Sequence, residues 1–224
     1  MFTLKDITMF LAGRRRDTIR FNGQPAGAFS QRGEDLIIDG LLEGKRIGFY
    51  VDVGANHPTF LSNTKRFYDR GWHGINIEPN PALAKLLWQE RERDVVINKG
   101  VGSTKGVFPF YLLSMHTNSS FNKEDAYRNC LFFDDSVKDV IEVQVEPLAD
   151  ILRGYSPDHI DFMSIDTEGS ELDVLKSNDW KRFSPGVLVV ETENDKAIEP
   201  FLESVGYHLI YSNNCNGIFW KVSS

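Results

Sequence analysis

Ile47-Gly48-Phe49-Tyr50-Val51-Asp52-Val53-Gly54-Ala55-Asn56-His57-Pro58 is the stretch on which the fold turns. Its first half is a short apolar run rich in β-branched and aromatic residues, the pattern of a buried strand. The run ends in an acidic residue, a glycine and then a proline, so the chain must leave the strand through a tight bend. Downstream, a helix is expected within Leu61–Arg70, closed by Gly71, and Gly74-Ile75-Asn76-Ile77-Glu78 reads as a second strand. Asn80 and Pro81 then make a helix start, a capping side chain followed by proline at the first helical position. Leu83, Leu86 and Leu87 give that helix its apolar face through about Gln89.

Asp94–Asn98 supplies a third strand and Val107–Leu112 an added or edge strand, while residues 114–139 read as a loop or short helices over the site. The alternation resumes with a strand over Ile160–Asp166 and a helix capped by Ser170 that contains Leu172, Val174 and Leu175. Val187–Glu191 is apolar enough to be covered on both faces. A helix carrying Ile198, Phe201, Leu202 and Val205 follows, stopped by Gly206, and Tyr207–Tyr211 and Gly217–Lys221 finish the chain as two strands joined by a short turn. Strands separated by helices pair in parallel, whereas a short connection makes an antiparallel pair. The expectation is a three-layer, Rossmann-like α/β fold whose mostly parallel sheet ends in an antiparallel hairpin.

Upstream, residues 1–13 have the look of a short amphipathic helix without the features of a secretory leader. Arg14, Arg15 and Arg16 follow it and read as a solvated charge run, with contact to phosphate or an anionic surface as the alternative. The 224 residues, 41% hydrophobic with 16 Phe and 4 Trp, suffice for one substantial core. A net charge of −7 discourages a nucleic-acid partner, and no apolar stretch is long enough for a membrane span. Cys130 and Cys215 have neither disulfide-framework nor zinc spacing, which points to a reducing, cytoplasmic setting. Asn118-Ser119-Ser120 matches a glycosylation sequon that carries little weight without a leader.

In an open parallel sheet the ligand crevice lies beyond the carboxyl ends of the strands. Asp52 and Gly54 end the first strand and Glu78 ends the second. Glycine lets a ligand approach the backbone, and a carboxylate accepts from two ribose hydroxyls. Glu78 is therefore the ribose partner, against the bland reading of a surface carboxylate before Pro79. Only one glycine of the dinucleotide G-x-G-x-x-G pattern is present, so a pyrophosphate is harder to wrap. An acidic turn instead suits a cofactor with a positive centre and an ammonium group, as in S-adenosylmethionine.

At this point the residues carry a family likeness. The chain resembles the FkbM-like S-adenosylmethionine-dependent methyltransferases through Ser30-Gln31-Arg32-Gly33-Glu34-Asp35, Tyr50–Asn56, Gly71–Asn80 and Ile165-Asp166-Thr167-Glu168-Gly169-Ser170-Glu171. Asn216-Gly217-Ile218-Phe219 matches less specifically, and the order and spacing of the pieces make the likeness persuasive. The resemblance implies a class I methyltransferase fold in which Asp52, Gly54 and Ala55 line the amino-acid side of the cofactor. It implies that Glu78 binds ribose while Pro79 and Asn80 shape the adenosine wall. Gly102 and Ser103 follow the third strand at a position suited to adenine, or form a turn without a ligand. Residues 1–45 would be a helical extension packing near the active site, and 46–224 the methyltransferase domain.

Methyl transfer to a hydroxyl needs help with the proton. His57 is the leading simple base, against the reading of a loop histidine bonded locally. Asp166 and Glu168 follow a buried strand and suit binding or activation of an acceptor. Asp166, Glu191 and Asn194 would form an oxygen-rich set for a divalent cation such as magnesium, while Glu171 favours a helix start. Gln31, Glu34 and Asp35 are expected to fold back over the catalytic end and orient a polyhydroxyl acceptor, with Thr64, Asn118 and Ser119 as further polar contacts. Phe60, Trp72 and Tyr127 are candidates for stacking on a sugar, though structural roles compete. The functional expectation is O-methylation of a sugar or glycosylated small molecule. A carboxyl, amide or secondary-metabolite hydroxyl, a non-catalytic cofactor-binding scaffold and an NAD enzyme are the rivals. Oligomeric state stays open.

Overall fold

Alternation along the strands decides which helices cover each face of the sheet. The computed structural model describes residues 24–155, 157–193 and 195–222. The helix over residues 1–13, the Arg14–Arg16 run and Asn194 therefore lie outside the described residues. A seven-stranded sheet contains β1 (Phe49–Val53), β2 (His73–Ile77), β3 (Val95–Ile97), β7 (Phe162–Ile165), β8 (Val187–Glu191), β9 (Tyr207–Ser212) and β10 (Asn216–Lys221), in the order β3-β2-β1-β7-β8-β10-β9. All neighbours run parallel except β10, which is antiparallel to both β8 and β9. This is the sheet of a class I methyltransferase fold, with the antiparallel hairpin at its end.

Val51, Val53, Ile75, Ile77, Met163, Ile165, Leu188 and Val190 face one layer of helices. That layer is α5 (Leu148–Tyr155), α6 (Glu171–Lys176) and α7 (Ile198–Ser204). The intervening side chains Tyr50, Phe162, Val187, Val189 and Ile218 meet Ile37, Ile38 and Leu41 of α1 (Glu34–Leu41) and Phe67 of α2 (Lys65–Arg70). Trp72 is fully buried in that second core, with a structural role rather than a sugar-stacking one. A fully buried Phe or Leu contributes about 1.5–3 kcal/mol, so the sheet centre is the rigid base on which the site is built. α1 lies upstream of β1 yet shares this core, which brings Gln31 and Glu34 to the sheet's carboxyl end.

α3 (Pro81–Glu90) starts as expected, with the Asn80 side chain accepting from Ala82 N. Ser170 precedes α6 without a side-chain cap bond. Val107–Leu112 departs from expectation. It belongs to β5 (Gly106–Leu113), in a separate three-stranded sheet with β4 (Gly100–Val101) and β6 (Val137–Glu146), rather than at an edge of the main sheet. Residues 114–139 hold a 3-10 turn at His116–Asn118 and an eleven-residue helix, α4 (Lys123–Phe133). Among the described residues no helix is long and apolar enough to cross a membrane.

Candidate active site

The bend after β1 is closed by backbone bonds that tie it to the end of β2. Gly54 N and Ala55 N both donate to Ile77 O, at 2.9 and 3.1 Å. Gly54 has φ 77°, and a Cβ built there would stand 1.7 Å from Asp166 O. Two constraints, a left-handed backbone and contact with the loop after β7, thus demand glycine. Asn56 also takes a positive φ, 51°, and its N–H donates to Glu78 Oε2 at 2.7 Å. The other oxygen of Glu78 accepts from Asn80 N at 2.8 Å. Each carboxylate oxygen retains a lone pair for a ribose hydroxyl.

These residues line a cleft of about 1160 Å³, counted out into its open mouth. Asp52, Gly54, Ala55, Glu78 and Pro79 line it from the cofactor side; Gly100, Val101, Phe110 and Phe121 also border it. Gln31, Glu34, Asn118, Ser119, Asp166 and Glu168 line it too, with Asn216 of the weaker C-terminal motif, joined by Asn63, Ser164 and His116, which the sequence had not singled out. A single-glycine cradle beside a buried, amide-held carboxylate is a set of residues that could hold S-adenosylmethionine.

Several candidates stand elsewhere. His57 Nδ1 accepts from Thr59 N and Phe60 N at 3.1 and 3.0 Å, and the ring does not line the cleft. The neutral ring therefore carries its proton on Nε2 and keeps no free lone pair to act as a base; it shapes the loop. Phe60 is half exposed and Tyr127 sits on α4; neither lines the cleft. Asn80 caps α3 rather than walling adenosine. Gly102 and Ser103 turn away from the cleft, with Gly102 N donating to Glu146 O and Ser103 bonded twice to Asp173. The cleft wall after β3 is made by Gly100 and Val101 instead.

Asp35 and Thr64 lie behind the wall. Asp35 accepts from Ser30 Oγ and Arg66 Nε, at 2.5 and 2.9 Å. Thr64 Oγ1 donates to Asp52 Oδ2 at 2.8 Å, so it steadies a lining carboxylate. Glu34 is fully buried, with Oε1 accepting from the side-chain amides of Asn213 and Asn216 at 2.8 and 3.0 Å. The N-terminal motif is thereby fastened to the C-terminal hairpin.

Charge in the cleft is one-sided: Glu34, Asp52, Glu78, Asp166 and Glu168 stand against Lys99, itself paired with Glu146. Burial pushes Asp52 up to about 6, and burial, with the Asp52 charge adding, pushes Glu78 up to about 7. Burial and then the neighbouring Glu171, Asp52 and Glu34 raise Asp166 to about 7. Glu168 and Glu191 are raised as well, by burial first and then by surrounding carboxylates. Asp166, Glu171 and Glu191 can bring one oxygen each within 4.8 Å of one another. Glu171 also accepts from Thr167 N, Thr167 Oγ1 and Gly169 N at 2.7, 3.0 and 3.2 Å, closing the loop that carries Glu168. Glu168 itself has φ 54°, held by Ser120 Oγ donating to its carbonyl at 2.8 Å.

The profile described as the methyltransferase FkbM domain matches residues 52–209. The methyltransferase sdnD of Sordaria araneosa is 29% identical over 192 residues, covering 70% of this chain and 71% of that protein. Among solved structures, the METTL16 methyltransferase domain gives a TM-score of 0.49 at 11% identity, covering 99% of this chain and 81% of that one. A TehB-like S-adenosylmethionine-dependent methyltransferase from Corynebacterium glutamicum gives 0.43 at 13% identity, covering 85% and 88%. Strand order, pairing direction and the matched profile together establish the fold.

Proposed function

The chain belongs to the FkbM methyltransferase family and is an S-adenosylmethionine-dependent methyltransferase; from that premise we propose that its acceptor is a hydroxyl of a sugar or glycosylated small molecule. When bound, S-adenosylmethionine supplies an electrophilic methyl group on a sulfonium. The observation that carries the proposal is the second half of the cleft, where Gln31, Asn63, Asn118 and Asn216 offer amides beside Asp166. Such a surface matches the donors and acceptors of a polyhydroxyl compound. Asp166, raised to about 7, sits near the pKa at which a carboxylate serves best as a base at neutral pH. Its role is to take the hydroxyl proton, while the amides hold the acceptor in line.

The carboxylate-rich wall disfavours phosphorylated acceptors. Two like charges about 4 Å apart cost on the order of 4 kcal/mol even at an intermediate dielectric. An uncharged acceptor avoids that repulsion. A carboxyl, amide or secondary-metabolite hydroxyl as acceptor is the competing chemistry. A hard divalent cation such as magnesium, held by Asp166, Glu171 and Glu191, is a second reading, favoured by the convergence of those three carboxylates. Such an ion would supply Lewis acidity to the acceptor oxygen.

A screen with labelled S-adenosylmethionine against free glycans, glycosides, nucleotide sugars, carboxylates and hydroxylated scaffolds tests the acceptor. Preferred labelling of uncharged glycans or glycosides is expected; exclusive labelling of carboxylates or phosphorylated sugars sinks the reading. On the acceptor so found, Asp166→Asn should lower kcat by roughly 100-fold with cofactor affinity changed much less. An unaltered kcat removes Asp166 as the base. Turnover that survives stringent chelation and gains nothing from added magnesium argues against the cation.

A further inference from the structure

Arg91 is among the largest fully buried side chains of the described residues, and methyl transfer does not itself use it. Its side chain is 1% exposed. A guanidinium at that depth must find partners for its donors, and it finds them on three elements. Nε donates to Pro58 O at 3.0 Å, and Nη2 donates to the same carbonyl. Nη2 also reaches Ser62 Oγ at 3.2 Å. On its other side Nη1 donates to Tyr50 OH at 3.2 Å and stands 3.8 Å from Asp94 Oδ2. Tyr50 and Asn76 donate to the same Asp94 oxygen, at 2.6 and 2.8 Å, which anchors the ensemble to β1 and β2.

Pro58 and Ser62 belong to the loop leaving β1, the loop that holds both cofactor-facing carboxylates. Upstream of Pro58, Asn56 N donates to Glu78. Downstream, Ser62 Oγ accepts from Thr64 N at 3.3 Å, and Thr64 Oγ1 donates to Asp52. The loop includes two non-glycine residues with positive φ, Asn56 at 51° and Leu61 at 55°. Such conformations persist only where surrounding contacts over-determine them. Arg91 supplies such contacts at Pro58, between the two strained residues, and at Ser62, just after the second.

We propose that Arg91 is a positioning residue for cofactor binding, clamping the 54–63 loop through Pro58 and Ser62 so that Asp52 and Glu78 face the cleft together. It touches neither cofactor nor acceptor. The charge of Arg91 also favours the ionised form of Asp52, opposing burial. Lysine is a poor substitute, because a single ammonium lacks the planar fork that serves Pro58 and Ser62 on one side and Tyr50 on the other.

The proposal rests on the cleft being the S-adenosylmethionine site, so the test begins with calorimetric titration of the unmodified chain with that compound. No binding there would overturn both readings. Arg91→Lys, checked as folded by circular dichroism at the titration temperature, is expected to bind about tenfold more weakly. A merely structural role would lower the melting temperature and leave the affinity of folded protein unchanged, and that result overturns the proposal. Should Arg91→Lys not fold, Thr64→Val decides. It removes the last link to Asp52 at a site that does not line the cleft, and weakening of several-fold is expected. Affinity equal to that of the unmodified chain would overturn the clamp.

Discussion

Glu78 works through what holds it still. Both its oxygens are engaged by backbone N–H groups of Asn56 and Asn80, so under the proposed assignment a ribose would meet an acceptor pair that needs no reorganisation. A hydrogen bond to a charged group is worth about 1.5–3 kcal/mol. Glu78→Ala should therefore weaken S-adenosylmethionine binding by roughly 10–100-fold in a calorimetric titration, and equal affinity would retire the ribose assignment. His57 shows the opposite lesson at the same scale. Its place in the bend made it the leading simple base, against a loop histidine bonded locally, and the local bonds are what the structure shows. Residue type alone could not choose between the two, because the competing donors, Thr59 and Phe60, are loop amides that sequence pattern leaves unplaced.

Between residues and fold stand the elements that close the cleft from outside the main sheet. The 3-10 turn at His116–Asn118 and α4 are bonded to each other, and Ser120 between them is bonded to the acidic loop. Ser120 Oγ reaches Glu168 O, and Asn129 Nδ2 donates to Asn118 O at 3.3 Å. Loosening that wall should affect the acceptor more than the cofactor. Ser120→Ala is expected to raise the acceptor KM by several-fold, in line with one lost hydrogen bond, and to leave cofactor affinity within twofold. Steady-state kinetics and calorimetry together check the split.

The strand-and-helix alternation that builds the main sheet was legible because each strand is a compact apolar run with a glycine, proline or capping residue at its end. β6 was not, since its apolar positions, Val137, Val140, Ile141, Val143 and Val145, keep a period of two only in the second half. α5 was missed although Leu148, Ile151 and Leu152 carry helical spacing. Glu34, Asp52, Gly54, Glu78 and Asp166, which all line the cleft, could be singled out because they sit on or beside strand ends and motifs. Arg91, Asn63 and Ser164 were not, because only the folded chain brings a helix end and mid-strand positions together with the bend.

At the scale of the molecule, the carboxylates of the cleft make stability depend on pH in an unusual direction. Their folded-state pKa values are raised above the ordinary 3.8 and 4.5, to about 6 for Asp52 and about 7 for Glu78. The native state therefore binds more protons than the unfolded chain, and this contribution is full below the ordinary values and lost as pH rises through 6 to 7. Asp166, Glu168 and Glu191, also raised, extend the loss upward. A tenfold change in a group's proton affinity between the two states corresponds to about 1.4 kcal/mol, and 1 kcal/mol moves the melting temperature of a chain this size by roughly 2–4 °C. The cofactor-free protein should thus melt several degrees lower at pH 8 than at pH 5 by calorimetry, with S-adenosylmethionine reducing the gap. A melting temperature that is flat or climbing across that range would defeat the account.

Gly54 draws the two halves of this chemistry into one part. A Cβ at Gly54 would collide with the carbonyl of Asp166, so the bend proposed to grip the methyl donor and the loop proposed to face the acceptor share a single seam. On the proposed reading, diversification of acceptor choice has the outer rim to work with, from Gln31 to Ser119, while any side chain at Gly54 would collide across this seam. Swapping the rim between relatives is accordingly the safe way to retarget such an enzyme, and grafts whose boundary cuts through the seam should yield proteins that lose both partners at once.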